Sequence, residues 1–109
     1  MPGIVETVEK TQIPEGELAS IIYQGALLRL PYLEGQLQAA IAETESFEQK
    51  YGQTLEQLSN RGLPSDADYE MHEDFIEWEY WSDTINSLQI TIKQIRLLLN
   101  VTKKEFDLH

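Results

Sequence analysis

The stretch from Asp66 to Leu99 most constrains what this chain can fold into. Its apolar residues Trp78, Trp81, Ile85, Leu88, Ile92, Ile95 and Leu99 recur at alternating steps of three and four. That spacing holds them on one stripe of a helix and forms the seam of a coiled coil or helical bundle. The first half of the stretch carries Asp66, Asp68, Glu70, Glu73, Asp74, Glu77, Glu79 and Asp83, with no Lys or Arg among them. One helix therefore presents both a packing seam and a concentrated anionic face.

A matching stripe lies upstream. Ala19, Tyr23, Ala26, Leu30, Leu33, Leu37, Ala40, Thr44, Phe47 and Tyr51 show the same alternation. Glu15 and Glu17 suit a first helical turn, and Gly52 suits a stop. Pro31 falls inside the run. It cannot donate to the carbonyl of Leu27, which predicts a kink or short break. The register kept across it favours the kink. Thr54 reads as the N-cap of a short helix with Gln57 at the capping-box position and Gly62 as its end. Leu63 to Asp66 reads as a turn, with Ser65 or Asp66 capping a helix from about Ala67 to about Asn100.

Each long helix then spans roughly 50 Å. Two such helices on a short connector predict an all-α antiparallel hairpin over residues 15–109. Residues 1–14 read as a flexible N-terminal arm. Their β-branched residues leave open a short strand that pairs only in a dimer or on a partner's sheet edge. The residues after Asn100 are expected to fray. Ile76, Tyr80, Ile90, Leu97, Leu98 and Val101 lie off the second seam, and Ile22 and Leu28 off the first. Extra apolar faces need cover. A second copy, giving a homodimeric four-helix bundle, is the expected cover, with a different protein as the other candidate.

The balance of charge narrows the partners. A formal net charge of −11 with eight scattered Lys and Arg argues against direct nucleic-acid binding and against an anionic membrane surface. It favours a basic protein surface. The chain has no cysteine, hence no disulfide or thiolate chemistry, which fits a cytoplasmic location. Its N-terminus lacks the pattern of a signal peptide, and no apolar run approaches the roughly 18 residues of a membrane span.

Chemistry finds little purchase. His72 has Asp68 four residues before it, but Tyr69 stands where a Glu-x-x-His metal pair needs its glutamate, and the first helix offers Glu43 and no His. Asp74 and Glu77 flank Trp78, yet no Gly-rich loop, nucleophile elbow or Cys–His pair accompanies them. The expectation is a protein with no metal, no cofactor and no enzymatic activity. The aromatics are more informative. Tyr69, Phe75, Trp78, Tyr80 and Trp81 crowd thirteen residues. Trp78 and Trp81 are accounted for as core. Phe75 and Tyr80 sit off the strict seam among acids, as binding anchors do.

Phe47-Glu48-Gln49-Lys50-Tyr51-Gly52, the capped short helix ending at Gly62, an Asp-containing turn, and Asp74-Phe75-Ile76-Glu77-Trp78 together resemble a family of small acidic helical proteins. That family carries F-E-x-K-Y-G, a short S/T-x-E-E-F helix and D-[F/Y]-x-E-W. It is regarded as antitoxin-like, from bacterial and archaeal toxin–antitoxin pairs. The match covers about 47–78, less than a third of the chain. It departs at Leu55 and Leu58 where a Phe is usual, in a longer acidic stretch before Asp74, and in the Pro of the first helix.

The resemblance implies a module that neutralises a small basic toxin by covering its surface. Glu70, Glu73, Asp74, Glu77 and Glu79 would supply charge complementarity, and Phe75 and Tyr80 buried area. Trp78 and Trp81 would hold the hairpin. The alternative expectation is a structural or adaptor coiled coil whose business is oligomerisation.

Overall fold

The two apolar stripes become two long helices laid side by side. The computed structural model describes residues 2–107, and its regular structure is four helices: α1 (Pro2–Lys10), α2 (Glu15–Tyr51), α3 (Leu55–Arg61) and α4 (Tyr69–Asp107). Helices α2 and α4 run antiparallel and pack along each other, with α3 tucked against α4 at the connector. The described chain measures 63 × 27 × 19 Å with a radius of gyration of 20.3 Å. A compact chain of this length would have about 13 Å. The core is therefore a line rather than a centre.

The line follows a strict repeat. Ala19, Ala26, Leu33, Ala40 and Phe47 are buried, each seven residues after the last. A repeat of seven is the under-wound register that keeps a seam facing its partner. Leu30, Leu37 and Tyr51 flank it, half-buried. On α4, Trp78 and Ile92 are buried, and Trp81, Ile85, Leu88, Ile95 and Leu99 are half-buried. The buried α2 positions are thus mostly alanines while those of α4 are larger, a pairing of small and large surfaces that lets two helices pack closely. Ala40 has no exposed surface at all. The seam continues to buried Thr102, whose hydroxyl donates to the carbonyl of Leu98 at 2.8 Å and is thereby satisfied.

The caps show why the chain turns where it does. Gly52 takes the left-handed conformation (φ 65°) and donates its amide to Glu48 O at 2.8 Å, ending α2. Thr54 and Gln57 form the reciprocal capping box. The Gln57 amide donates to Thr54 Oγ1 at 3.1 Å, and the Thr54 amide donates to Gln57 Oε1 at 2.9 Å. Gly62 ends α3, with its amide on Leu58 O at 2.8 Å.

Several sequence expectations change. Of the kink or break expected at Pro31, the break is absent: helix α2 is continuous through it, in keeping with the register held across it. The lost hydrogen bond falls at an exposed position, where water can take the freed carbonyl. The cap of α4 is neither Ser65 nor Asp66 but Asp68, whose Oδ1 accepts from the Met71 amide at 2.9 Å. Helix α4 extends past Asn100 to Asp107, and buried Thr102 carries the seam beyond Leu99. Leu108 and His109 lie outside the described residues. The stretch expected as an arm or strand has a helical backbone over Pro2–Lys10. Pro2 suits the first helical position, and Ile4, Val5 and Val8 follow helical rather than alternating spacing. β-Branched residues had pointed to a strand; their spacing fits a helix.

Candidate partner-binding face at the connector end

The connector end is the best-packed part of the molecule. Phe47, Leu58 and Trp78 form its buried cluster, one residue from each of α2, α3 and α4. Trp78 is 1% exposed. Its ring stacks on Phe47 at 5.7 Å between centroids and on Tyr51 at 6.1 Å. Met71, Phe75, Trp81, Leu55 and Leu63 pack around this cluster.

A polar clasp lies beside it. The Lys50 ammonium donates to Asp74 Oδ2 at 2.6 Å and to Glu70 Oε1 at 2.7 Å. The Tyr51 hydroxyl donates to the same Asp74 oxygen at 2.5 Å. Hydrogen bonding from Lys50 first, and from Tyr51 second, holds the Asp74 carboxyl below the usual carboxylate range. Burial, then the bond to Asp74, pushes the Tyr51 phenol up. The bond to Asp74, then that to Glu70, raises the Lys50 ammonium. The clasp ties the last turn of α2 to the first turns of α4.

Around this end the charge is uncompensated. Twelve of the nineteen acidic residues and two of the eight basic ones lie between Ile41 and Asp83, so this half holds ten of the eleven net negative charges. Of the two bases, Lys50 is engaged by Glu70 and Asp74. Clustered like charges on a low-dielectric scaffold project a field that draws and orients a basic surface.

The expected site residues divide into two groups. Asp74 and Phe75 belong to the hairpin itself: Asp74 in the clasp, with 15% of its side chain exposed, and Phe75 against the core cluster. Trp78 and Trp81 also serve the hairpin. Glu73, Glu77 and Glu79 are exposed. Glu70 is largely exposed even while paired with Lys50. Tyr80 is 61% exposed and stands edge-on to Trp81 at 5.1 Å, so its ring is braced from behind. Trp81 Nε1 donates to Glu77 Oε1 at 3.4 Å. Sequence reasoning missed Lys50 and Tyr51 as the residues that engage Asp74. The available signal was one base at the end of α2 facing an all-acidic helix start.

Among the described residues no group of three or more His, Cys, Asp or Glu side chains is placed to hold a metal ion. Among the same residues no helix is long and apolar enough to cross a membrane. No protein-family model, curated protein or solved structure matches the chain.

Proposed function

We propose that this protein is an antitoxin-like binding module that neutralises a small basic protein. Its acidic connector end covers the partner's basic surface and excludes that partner's own target. The observation that carries the proposal is the concentration of ten of the eleven net negative charges on one end of the hairpin. Glu70, Glu73, Glu77 and Glu79 supply long-range attraction and orientation, which act mainly on the rate of encounter. Tyr80, exposed and braced by Trp81, supplies the apolar contact that slows release. Asp74 and Phe75 act indirectly, by fixing the start of α4.

The test is capture from native lysate with the tagged full-length protein, washed at low and high salt. The captured protein is then expressed alone and together with this one. The expected result is a small basic protein released by salt, lost from Glu73→Lys/Glu77→Lys/Glu79→Lys bait, and growth-inhibitory unless co-expressed. Capture that is indifferent to salt and to the charge reversal, or a captured protein without any inhibitory effect, overturns the proposal. A structural or adaptor coiled coil is the second reading, favoured by the exposed apolar residues along α4. It predicts recovery of the protein's own copies alone.

A further inference from the structure

Helix α4 carries a second seam on the side away from α2. Tyr69, Ile76, Ile90 and Leu97 fall at multiples of seven, with Tyr80 and Val101 four residues after Ile76 and Leu97. All six are between 51% and 79% exposed. Glu73, Asp83, Ser87, Gln94 and Lys104 complete the stripe. The alternation of three and four is the one that builds the inner seam, so α4 has the pattern of a helix packed on two sides but has α2 on only one.

The charges of α4 say what fits the open side. All its acids up to Lys104 lie between Glu70 and Asp83. From Thr84 to Lys104 there is no acid, and Lys93, Arg96, Lys103 and Lys104 supply the only charges. A parallel copy would set Glu73 on Glu73 and Asp83 on Asp83. An antiparallel copy lays the acidic half along the basic half. One antiparallel register also matches the stripe layer by layer. Tyr80 meets the second copy's Leu97, Ile76 its Val101, Asp83 its Gln94 and Glu73 its Lys104, with Ser87 against Ile90 nearest the axis. Sliding one heptad either way buries Glu73 against Leu97 or Asp83 against Val101, at the cost of an unpaired buried carboxylate.

We propose that the outer face of α4 is a two-fold dimer interface, occupied by the α4 of a second copy in this antiparallel register. The inference stands independently of the basic-partner reading. Glu73 and Tyr80 serve both, however, so a second copy and a basic partner compete for one face.

The chain has no cysteine, which makes crosslinking unambiguous. The full-length Tyr80→Cys/Leu97→Cys variant is oxidised and expected to run as a covalent dimer. Each single variant is expected to stay uncrosslinked, because positions 80 and 97 are about 25 Å apart along a helix, too far for a disulfide. The same separation excludes a bridge within one chain. Crosslinking by either single variant, or none by the pair, overturns the register.

Sedimentation of the purified protein alone tests the dimer itself. The unmodified chain is expected to be dimeric at about 100 µM, far above the micromolar Kd of even a weak specific interface. Glu73→Lys is expected to weaken the dimer about tenfold through two symmetry-related pairs. Glu73→Lys/Lys104→Glu is expected to restore it. Both positions are exposed, so the helical circular dichroism of these variants serves as the control for folding. A monomer at about 100 µM, or a double variant no better than the single, overturns the proposal. Capture of a basic protein in the lysate experiment does not rescue it.

Discussion

Replacing Trp78 by Ala removes the side chain on which the connector end closes. The indole is 1% exposed, stacks with both Phe47 and Tyr51, and packs with residues of α2, α3 and α4. Truncating a buried Trp costs about 3–5 kcal/mol through lost transfer energy and the cavity left behind. Each stacked ring accounts for about 0.5–1.5 kcal/mol beyond area, partly inside that range, so about 4 kcal/mol is expected. A chain of this size has about 5–15 kcal/mol in total, so the loss is a quarter or more of its stability. Urea denaturation followed by far-ultraviolet circular dichroism, at one fixed protein concentration, measures it. The fluorescence of Trp81, then the sole tryptophan, gives an independent probe. Tyr32→Ala is the control. Tyr32 is 54% exposed and touches Arg29 and the Gln36 side chain, so its loss should cost less than about 1 kcal/mol. If Trp78→Ala costs no more than Tyr32→Ala, the connector cluster is not what holds the hairpin.

Gly52→Ala should cost about 1–2 kcal/mol through left-handed strain alone, since an added Cβ meets nothing within 4 Å. Thermal denaturation checks this, and an unchanged midpoint would refute it. Pro31→Ala should raise stability by about 1–3 kcal/mol by restoring an internal helix bond at an exposed position. An unchanged urea midpoint would show that the helix has adapted fully to the proline. Asp74 carries the pH dependence. Its folded carboxyl titrates below the ordinary 3.8. The stability it provides is complete above 3.8 and is lost as pH falls through the lower folded value. The gap in urea midpoint between wild type and Asp74→Asn should therefore be constant near neutrality and close below pH 3.8. A gap that persists in strong acid would mean the carboxylate charge is not what the clasp uses.

The hairpin was readable because heptad spacing and caps are local signals. Ala19 to Phe47 and Trp78 to Leu99 announce two facing stripes, and Thr54, Gln57 and Gly62 announce α3 in both sequence and structure. The roles of Asp74 and Phe75 were not readable. Both look like surface residues until α2 and α3 are folded over them. Lys50 is twenty-four residues from Asp74 in the chain, and nothing local predicts that they meet. Residues 1–14 read as an arm because neither alternating face is cleanly apolar, although the spacing of Ile4, Val5 and Val8 fits a helix. The cap of α4 was misplaced because Ser65, Asp66 and Asp68 all carry suitable side chains, and only the backbone decides which one meets the first free amides.

Heptad seams have an ambiguity that the aromatic cluster resolves. A zipper of identical teeth closes equally well one tooth out. Ala19, Ala26 and Ala40 occupy the same phase on α2, and an alanine accepts nearly any aliphatic neighbour. Along most of the hairpin, α4 shifted by seven residues would meet a similar surface. At the connector it would not: Trp78 fits beside Phe47 and Tyr51, and one heptad further along it would be driven onto Ala40. The alignment of the two long helices is thus indexed most firmly at the end where the chain turns, with the Glu34–Arg96 ion pair at 3.7 Å a weaker tie further along. The far end is free to be lengthened or trimmed by whole heptads without moving that index.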